Sequence, residues 1–314
     1  MTPVLKTQDL KVHHNTARGQ LKAVDGISLS VAPGETLGLV GESGCGKSTL
    51  ARCIVGINTP TSGTLEVAGV SPEKSRLARA RAVQMVFQDP SGALNPRLTV
   101  ERIIGEPLQI HQRAGREARK AQVLDLARKV GLSDYHLERL PHELSGGQRQ
   151  RVSIARALAL NPALLVCDEA VSALDVSVQA QVLNLLLGLQ RDLGLTYLFI
   201  SHDLSVVRYI SHRIAVMYLG RIVEIGPAEE VWHRKMHPYT RALVAAIPDE
   251  SARRTDAVLL DGDVPSPVNP PSGCTFRTRC PFAQARCSTE VPELRDQGAG
   301  LSVACHFAET LYTV

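Results

Sequence analysis

Glycines at positions 41, 44 and 46, followed at once by Lys47-Ser48-Thr49, constrain the fold of this chain more than any other feature. The segment Gly41-Glu42-Ser43-Gly44-Cys45-Gly46-Lys47-Ser48-Thr49 fits G-x-x-x-x-G-K-[ST]. In that pattern the glycines let backbone N–H groups curl around phosphate oxygens, the lysine neutralises charge at the β and γ positions, and the serine reaches Mg2+. The flanks agree. Thr36-Leu37-Gly38-Leu39-Val40 is a short apolar run that predicts a buried strand, and residues 48–56 predict a helix whose positive N-terminal end faces the phosphates. A glycine-rich turn alone is common, but strand, loop and helix in this order predict an α/β nucleotide-binding core.

Two further segments supply chemistry that such a core needs. Ala163-Leu164-Leu165-Val166-Cys167-Asp168-Glu169 is an apolar run ending in two acids. Asp168 is placed to hold Mg2+ through its water shell, and Glu169 to orient or deprotonate the water that attacks a γ-phosphate. By themselves these are solvated acids at a strand end; the upstream loop gives them a role. Leu144-Ser145-Gly146-Gly147-Gln148 precedes an amphipathic run over 150–159, so Ser145 and the N–H groups of Gly146 and Gly147 form an anion-accepting helix start. The plainer alternative is a serine-capped helix.

Taken with Met85-Val86-Phe87-Gln88, Ser172-Ala173-Leu174-Asp175 and Ser201-His202-Asp203, these motifs appear in an order that resembles the ATP-binding cassette (ABC) ATPases over residues 5–248. The resemblance implies an α/β fold: a RecA-like phosphate-loop core, an antiparallel β subdomain and a helical subdomain inserted at about 90–160, together filling 1–250. ATP and Mg2+ are the implied ligands, with residues 41–49 on the nucleotide and Ser48, Gln88 and Asp168 near the metal. Glu169, His202 and Gln88 form the implied catalytic group, with His202 donating to the γ-phosphate. Ser145, Gly146, Gly147 and Gln148 are implied to close on ATP held by a partner cassette, so the active unit is a dimer. Asp175 resembles the residue at which two cassettes touch, and equally reads as a cap for the helix beginning at Val176. For adenine the first strand offers His14, with His13 close behind; imidazole presents less stacking surface than tyrosine, which implies modest affinity. Ala170 stands where relatives commonly place proline, which predicts a slightly looser turn.

Within this group the chain resembles the ATP-binding subunits of dipeptide, oligopeptide and nickel importers, specifically the second of the two cassettes they use. The residues concerned are Asp89-Pro90-Ser91-Gly92-Ala93-Leu94-Asn95-Pro96-Arg97, His237-Pro238-Tyr239-Thr240-Arg241-Ala242-Leu243 and Pro265-Ser266-Pro267-Val268-Asn269-Pro270-Pro271-Ser272-Gly273-Cys274. The implied partners are a second, different ATPase subunit, two integral membrane permeases and an extracytoplasmic substrate-binding protein. The implied place is the cytoplasmic face of the inner membrane, held there peripherally. Import of nickel or glutathione remains an alternative to peptides, as does a soluble cassette with no transport role.

Four of the seven cysteines, Cys274, Cys280, Cys287 and Cys305, fall in a Pro- and Cys-rich extension over 251–314 with spacing C-x5-C-x6-C-x17-C. That stretch has too little apolar content to bury a core alone, which predicts that something else holds it. Disulfides are disfavoured in a reducing compartment. A four-thiolate zinc site, a [4Fe-4S] cluster and no metal all remain open; the looped spacing and Cys280-Pro281, similar to the end of a ferredoxin ligand run, favour the cluster. Cys45, Cys53 and Cys167 read as core fillers, with a reactive thiol in an electropositive loop as the alternative for Cys45. A chain of 314 residues with 44% apolar content and a net charge of +4 fits a soluble protein and gives no sign of a nucleic-acid partner. No window approaches the length of a membrane helix, and Met1-Thr2-Pro3-Val4-Leu5-Lys6 lacks a signal-peptide pattern.

Overall fold

The computed structural model describes residues 2–70, 75–111, 115–247 and 262–311. Strands β1 (Leu5–Thr16) and β2 (Gly19–Val31) form a long antiparallel hairpin. β3 (Thr36–Val40) then leads through the glycine loop into α1 (Lys47–Val55), which ends on a left-handed Gly56, and β4 (Ser62–Val67) returns to pair with the free edge of β1. β1 alternates buried and exposed residues, as expected for a sheet with one wet face. Every residue of β3 is buried, the pattern of a central parallel strand.

The chain continues with α2 (Arg76–Ala82), β5 (Val83–Val86) and a run of helices: α3 (Pro90–Ala93), α4 (Val100–His111), α5 (Arg116–Lys129), α6 (Asp134–Leu137) and α7 (Gly146–Leu158). All five helices fall between β5 and β6 (Leu164–Asp168), where the sequence predicts an insertion. After β6 come α8 (Val176–Leu193), β7 (Tyr197–Ser201), α9 (Leu204–Ile210), β8 (Arg213–Tyr218), β9 (Arg221–Pro227), α10 (Ala228–Arg234) and α11 (Pro238–Ala245). The described end of the chain adds α12 (Ala285–Thr289), β10 (Arg295–Asp296), β11 (Ser302–Val303) and α13 (Ala308–Leu311).

β1, β2 and β4 make the small sheet. The large one has eight strands in the order β10-β11-β9-β8-β3-β7-β6-β5, with β8, β3, β7, β6 and β5 mutually parallel. One apolar cluster joins the small sheet to α1 and one face of the large sheet through Leu5, Val24, Leu37, Leu50 and Ile54, all fully buried. The other face packs against the inserted helices and α8 to α10.

The last segment packs onto the rest of the molecule. It builds no separate core; Phe276, Leu301, Val303 and Ala308 are buried within the main cluster, and β11 extends the large sheet by pairing with β9. Shared apolar burial and strand hydrogen bonds therefore hold it, with about 1.5–3 kcal/mol expected from a fully buried Phe. The expected division at residue 250 lies outside the described residues.

Candidate functional site

The loop between β3 and α1 is shaped by what surrounds it. A Cβ on Gly41 would stand 2.2 Å from the Met217 carbonyl oxygen, and one on Gly46 2.0 Å from that of Ala23, so backbone from elsewhere in the fold leaves no room for a side chain. Gly44 adopts φ +79° with open space beside it, next to exposed Ser43. Gly46 occupies the position before α1 and offers no side-chain cap, which leaves the first N–H groups of the helix directed at an incoming anion. Lys47 is 5% exposed and its Nζ donates to the carbonyls of Gly41 at 2.7 Å and Glu42 at 3.0 Å. The cation is thus held over the loop by weak neutral acceptors that phosphate oxygens would outcompete.

Ser48 and Thr49 are half-buried at the start of α1, and Ser48 Oγ donates to Asp168 Oδ1 at 3.2 Å. Asp168 ends β6, and burial raises its carboxyl above the ordinary range, with the Glu169 charge adding to the effect. A buried carboxylate beside a hydroxyl is a donor set that suits a hard divalent cation, which would relieve that desolvation. Beside it, Glu169 Oε2 accepts from Gln88 Nε2 at 2.9 Å and lies 3.5 Å from His202 Nδ1. Gln88, Asp168 and His202 stand at or just past the carboxyl ends of β5, β6 and β7, flanking the loop after β3, where open α/β sheets bind ligands. Glu169 itself has φ +48°, an uncommon conformation for a side-chain-bearing residue and one often found at functional positions. The turn is tied by the Glu169 N–H to Ile200 O at 2.9 Å, and by the Ser172 N–H and hydroxyl to Glu169 O. Ala170 within this turn is buried.

Ser145 sits at the N-cap of α7 in a reciprocal capping box: the Gln148 N–H donates to its Oγ at 3.3 Å, and its own N–H to Gln148 Oε1 at 2.9 Å. Gly146 and Gly147 follow, half-buried, on a helix packed against α3, α4, α5 and α8. The plainer reading of this motif is thus present, and it leaves the helix start facing outward. Asp175 precedes α8 but makes no side-chain cap bond, so the capping half of its expected role is not seen; it is exposed beside Val176, which is 85% exposed. Of the two histidines on β1, His13 is half-buried with Nε2 at 3.2 Å from Asp25 Oδ1, whereas His14 is exposed.

Cys45 follows the core-filler reading and not the alternative. It is 3% exposed, and burial raises its thiol, outweighing the nearby Lys47 charge. Cys274, Cys280, Cys287 and Cys305 line one small cavity together with Phe276, Phe282 and Phe307. Burial pushes the thiols of Cys274 and Cys280 up to about 11. The expected metal centre finds no direct match: among the described residues no group of three or more His, Cys, Asp or Glu is arranged to hold a metal ion.

Sequence reasoning missed two neighbours of the loop. Tyr239 Oη accepts from the Glu42 N–H at 2.7 Å, and Arg279 holds the Glu42 carboxylate. Both lie in segments that the sequence singles out, but no local pattern says that they reach the loop.

Comparison with known proteins agrees with this geometry. A family described as ABC transporter matches residues 24–172, and one described as oligopeptide/dipeptide transporter, C-terminal region, matches residues 223–287. The oligopeptide transport ATP-binding protein OppF of Escherichia coli is 51% identical over 309 residues, covering 93% of this chain and 92% of its own. The di/tripeptide transport ATP-binding protein DppF of Pseudomonas aeruginosa is 48% identical, covering 98% and 99%. Among solved structures, the dimeric post-hydrolysis state of the ATP-binding cassette MJ0796, bound to ADP and Pi, superposes with TM-score 0.65 at 28% identity over 71% of this chain and 98% of that one.

Proposed function

Because this chain belongs to the ABC transporter family of ATPases, we propose that it is the ATP-hydrolysing subunit of a peptide importer, working at the cytoplasmic face of the membrane. The observation that carries the ATPase reading is the convergence of Lys47, the Ser48–Asp168 pair and the Gln88–Glu169–His202 cluster at the carboxyl ends of adjacent parallel strands. No helix among the described residues is long and apolar enough to cross a membrane, which suits a subunit docked on permeases.

In this reading residues 41–49 and the start of α1 receive the triphosphate, and Lys47 exchanges the carbonyls of Gly41 and Glu42 for phosphate oxygens. Ser48 and Asp168, with Gln88, would hold Mg2+, which would supply charge neutralisation to the bound triphosphate. Glu169 takes a proton from water as the water oxygen attacks the γ-phosphorus and the bond to the bridging oxygen breaks. His202 donates to the γ-phosphate, and Gln88 keeps Glu169 aimed. Ser145, Gly146, Gly147 and Gln148 complete the site of a partner cassette, with Asp175 at the seam, and His14 stacks on adenine. We read 1–250 as the nucleotide-binding domain, with its helical part about 90–160 receiving the permeases, and 251–314 as its extension. A heterodimer with a second cassette subunit, two permeases and an extracytoplasmic binding protein complete the importer.

Glu169→Gln should keep ATP binding and lower hydrolysis by at least about 100-fold, the usual span for loss of a general base. Measured turnover within a few-fold of wild type would remove Glu169 from this role. For the cysteine cavity we propose a [4Fe-4S] cluster. Four cysteines lining one apolar space support it. Iron and acid-labile sulfide in about four-to-four ratio in anaerobically purified protein is expected; their absence from protein that hydrolyses ATP normally would end the proposal.

A further inference from the structure

The phosphate loop is gripped from outside by the cysteine-bearing segment. Glu42, the second residue of the loop, accepts two parallel hydrogen bonds from Arg279, Nη1 to Oε2 at 2.7 Å and Nη2 to Oε1 at 3.0 Å. The guanidinium side chain is only 6% exposed. A fork-on-fork pair fixes angle as well as distance, which a lone lysine would not do. The main chain of Glu42 is pinned as well: its N–H donates to Tyr239 Oη at 2.7 Å, and its carbonyl accepts from Lys47 Nζ at 3.0 Å.

Behind this contact stands a packed aromatic group. Phe276 meets Tyr218 edge-on at 5.2 Å and Tyr239 at 5.5 Å, and the Arg279 guanidinium lies 6.0 Å from the Tyr218 ring centre. Arg279 is therefore not a free arm; it lies between buried Phe276 and the cavity residue Cys280. A half-buried ion pair offers little net stability once desolvation is counted. Its geometric effect is larger, because Glu42 is the residue that links Arg279 to the cation of the loop.

We propose that Arg279 is a positioning residue for ATP hydrolysis: by clamping Glu42 it sets where the phosphate loop presents Lys47, so that nucleotide affinity depends on the docking of the cysteine-bearing segment. This rests on the reading of residues 41–49 as the ATP site. Because the loop contacts phosphate in both ground and transition states, the loss should appear mainly in KM.

The test is MgATP titration of the ATPase in the assembled complex, with Arg279→Ala, Arg279→Lys, Glu42→Gln and the double variant Glu42→Gln/Arg279→Ala. Arg279→Ala should raise KM about tenfold with kcat changed by less than about threefold, and Arg279→Lys should fall between it and wild type. The double variant should be no worse than Arg279→Ala, because both substitutions remove one contact. An unchanged KM in Arg279→Ala, or losses that multiply in the double variant, would overturn the proposal. Should Arg279→Ala fail to fold, Arg279→Lys and Glu42→Gln carry the test: a KM raised about threefold or more supports it, and wild-type KM in both sinks it. Lys47→Ala separates the two readings. If that variant binds ATP as wild type does, the ATP site itself is misassigned; if it loses binding while Arg279→Ala keeps its KM, only the clamp fails.

Discussion

At the scale of single residues, the site and its surroundings use burial to different ends. Asp168 is raised by burial and is positioned to be relieved by a cation, whereas Glu169 sits in a left-handed turn with a neutral amide and a histidine on its carboxylate. Glu224 is buried with no such relief. It is fully shielded on β9, accepts the N–H groups of Met236 and His237 at 2.9 and 3.0 Å, and is pushed by burial from 4.5 up to about 7. The native chain therefore binds more protons than the unfolded one between those two values. The contribution of this group to stability is complete below 4.5 and is lost as pH rises through about 7. Thermal midpoints of wild type should accordingly fall relative to Glu224→Gln between about pH 5 and about pH 8; curves that stay parallel would contradict this.

At the scale of elements, the short strand β11 and the residues before it accomplish more than their length suggests. Two residues, Ser302 and Val303, register with Ile225 and Glu224 of β9, and Phe276 fills the space between Tyr218, Tyr239 and His237. Phe276→Ala should destabilise the whole nucleotide-binding unit by about 3–5 kcal/mol, because the cavity opens within the main core and not within a separable tail. Urea unfolding followed by near-ultraviolet dichroism would show one cooperative transition shifted downward. Two transitions, with only the second at the wild-type position, would mean that the extension folds alone. The glycine loop needed no such context to be read, since strand, turn and helix are contiguous. The docking of β11 was illegible because a two-residue strand carries no periodic signal.

At the scale of the whole molecule, Ser145 at the start of α7 is exposed, as are Asp175 and Val176 before and at the start of α8, and the proposed dimer would bring them to a partner's phosphate loop. Ser145→Arg places a bulky cation there while leaving residues 41–49 untouched. In the assembled pair it should cut ATP hydrolysis by at least about tenfold while the loop still binds nucleotide; wild-type turnover would argue against a shared site. The sequence alone determined the phosphate-loop core and the helical insertion, because glycine turns, apolar strands and acid-terminated runs are local features with local causes. Only the tertiary structure decided that burial raises the Cys45 thiol, that the Asp175 side chain makes no cap bond, and that Arg279 grips Glu42 across 237 positions. Those outcomes depend on burial and on side chains meeting from distant segments, and a linear pattern of residue types encodes neither.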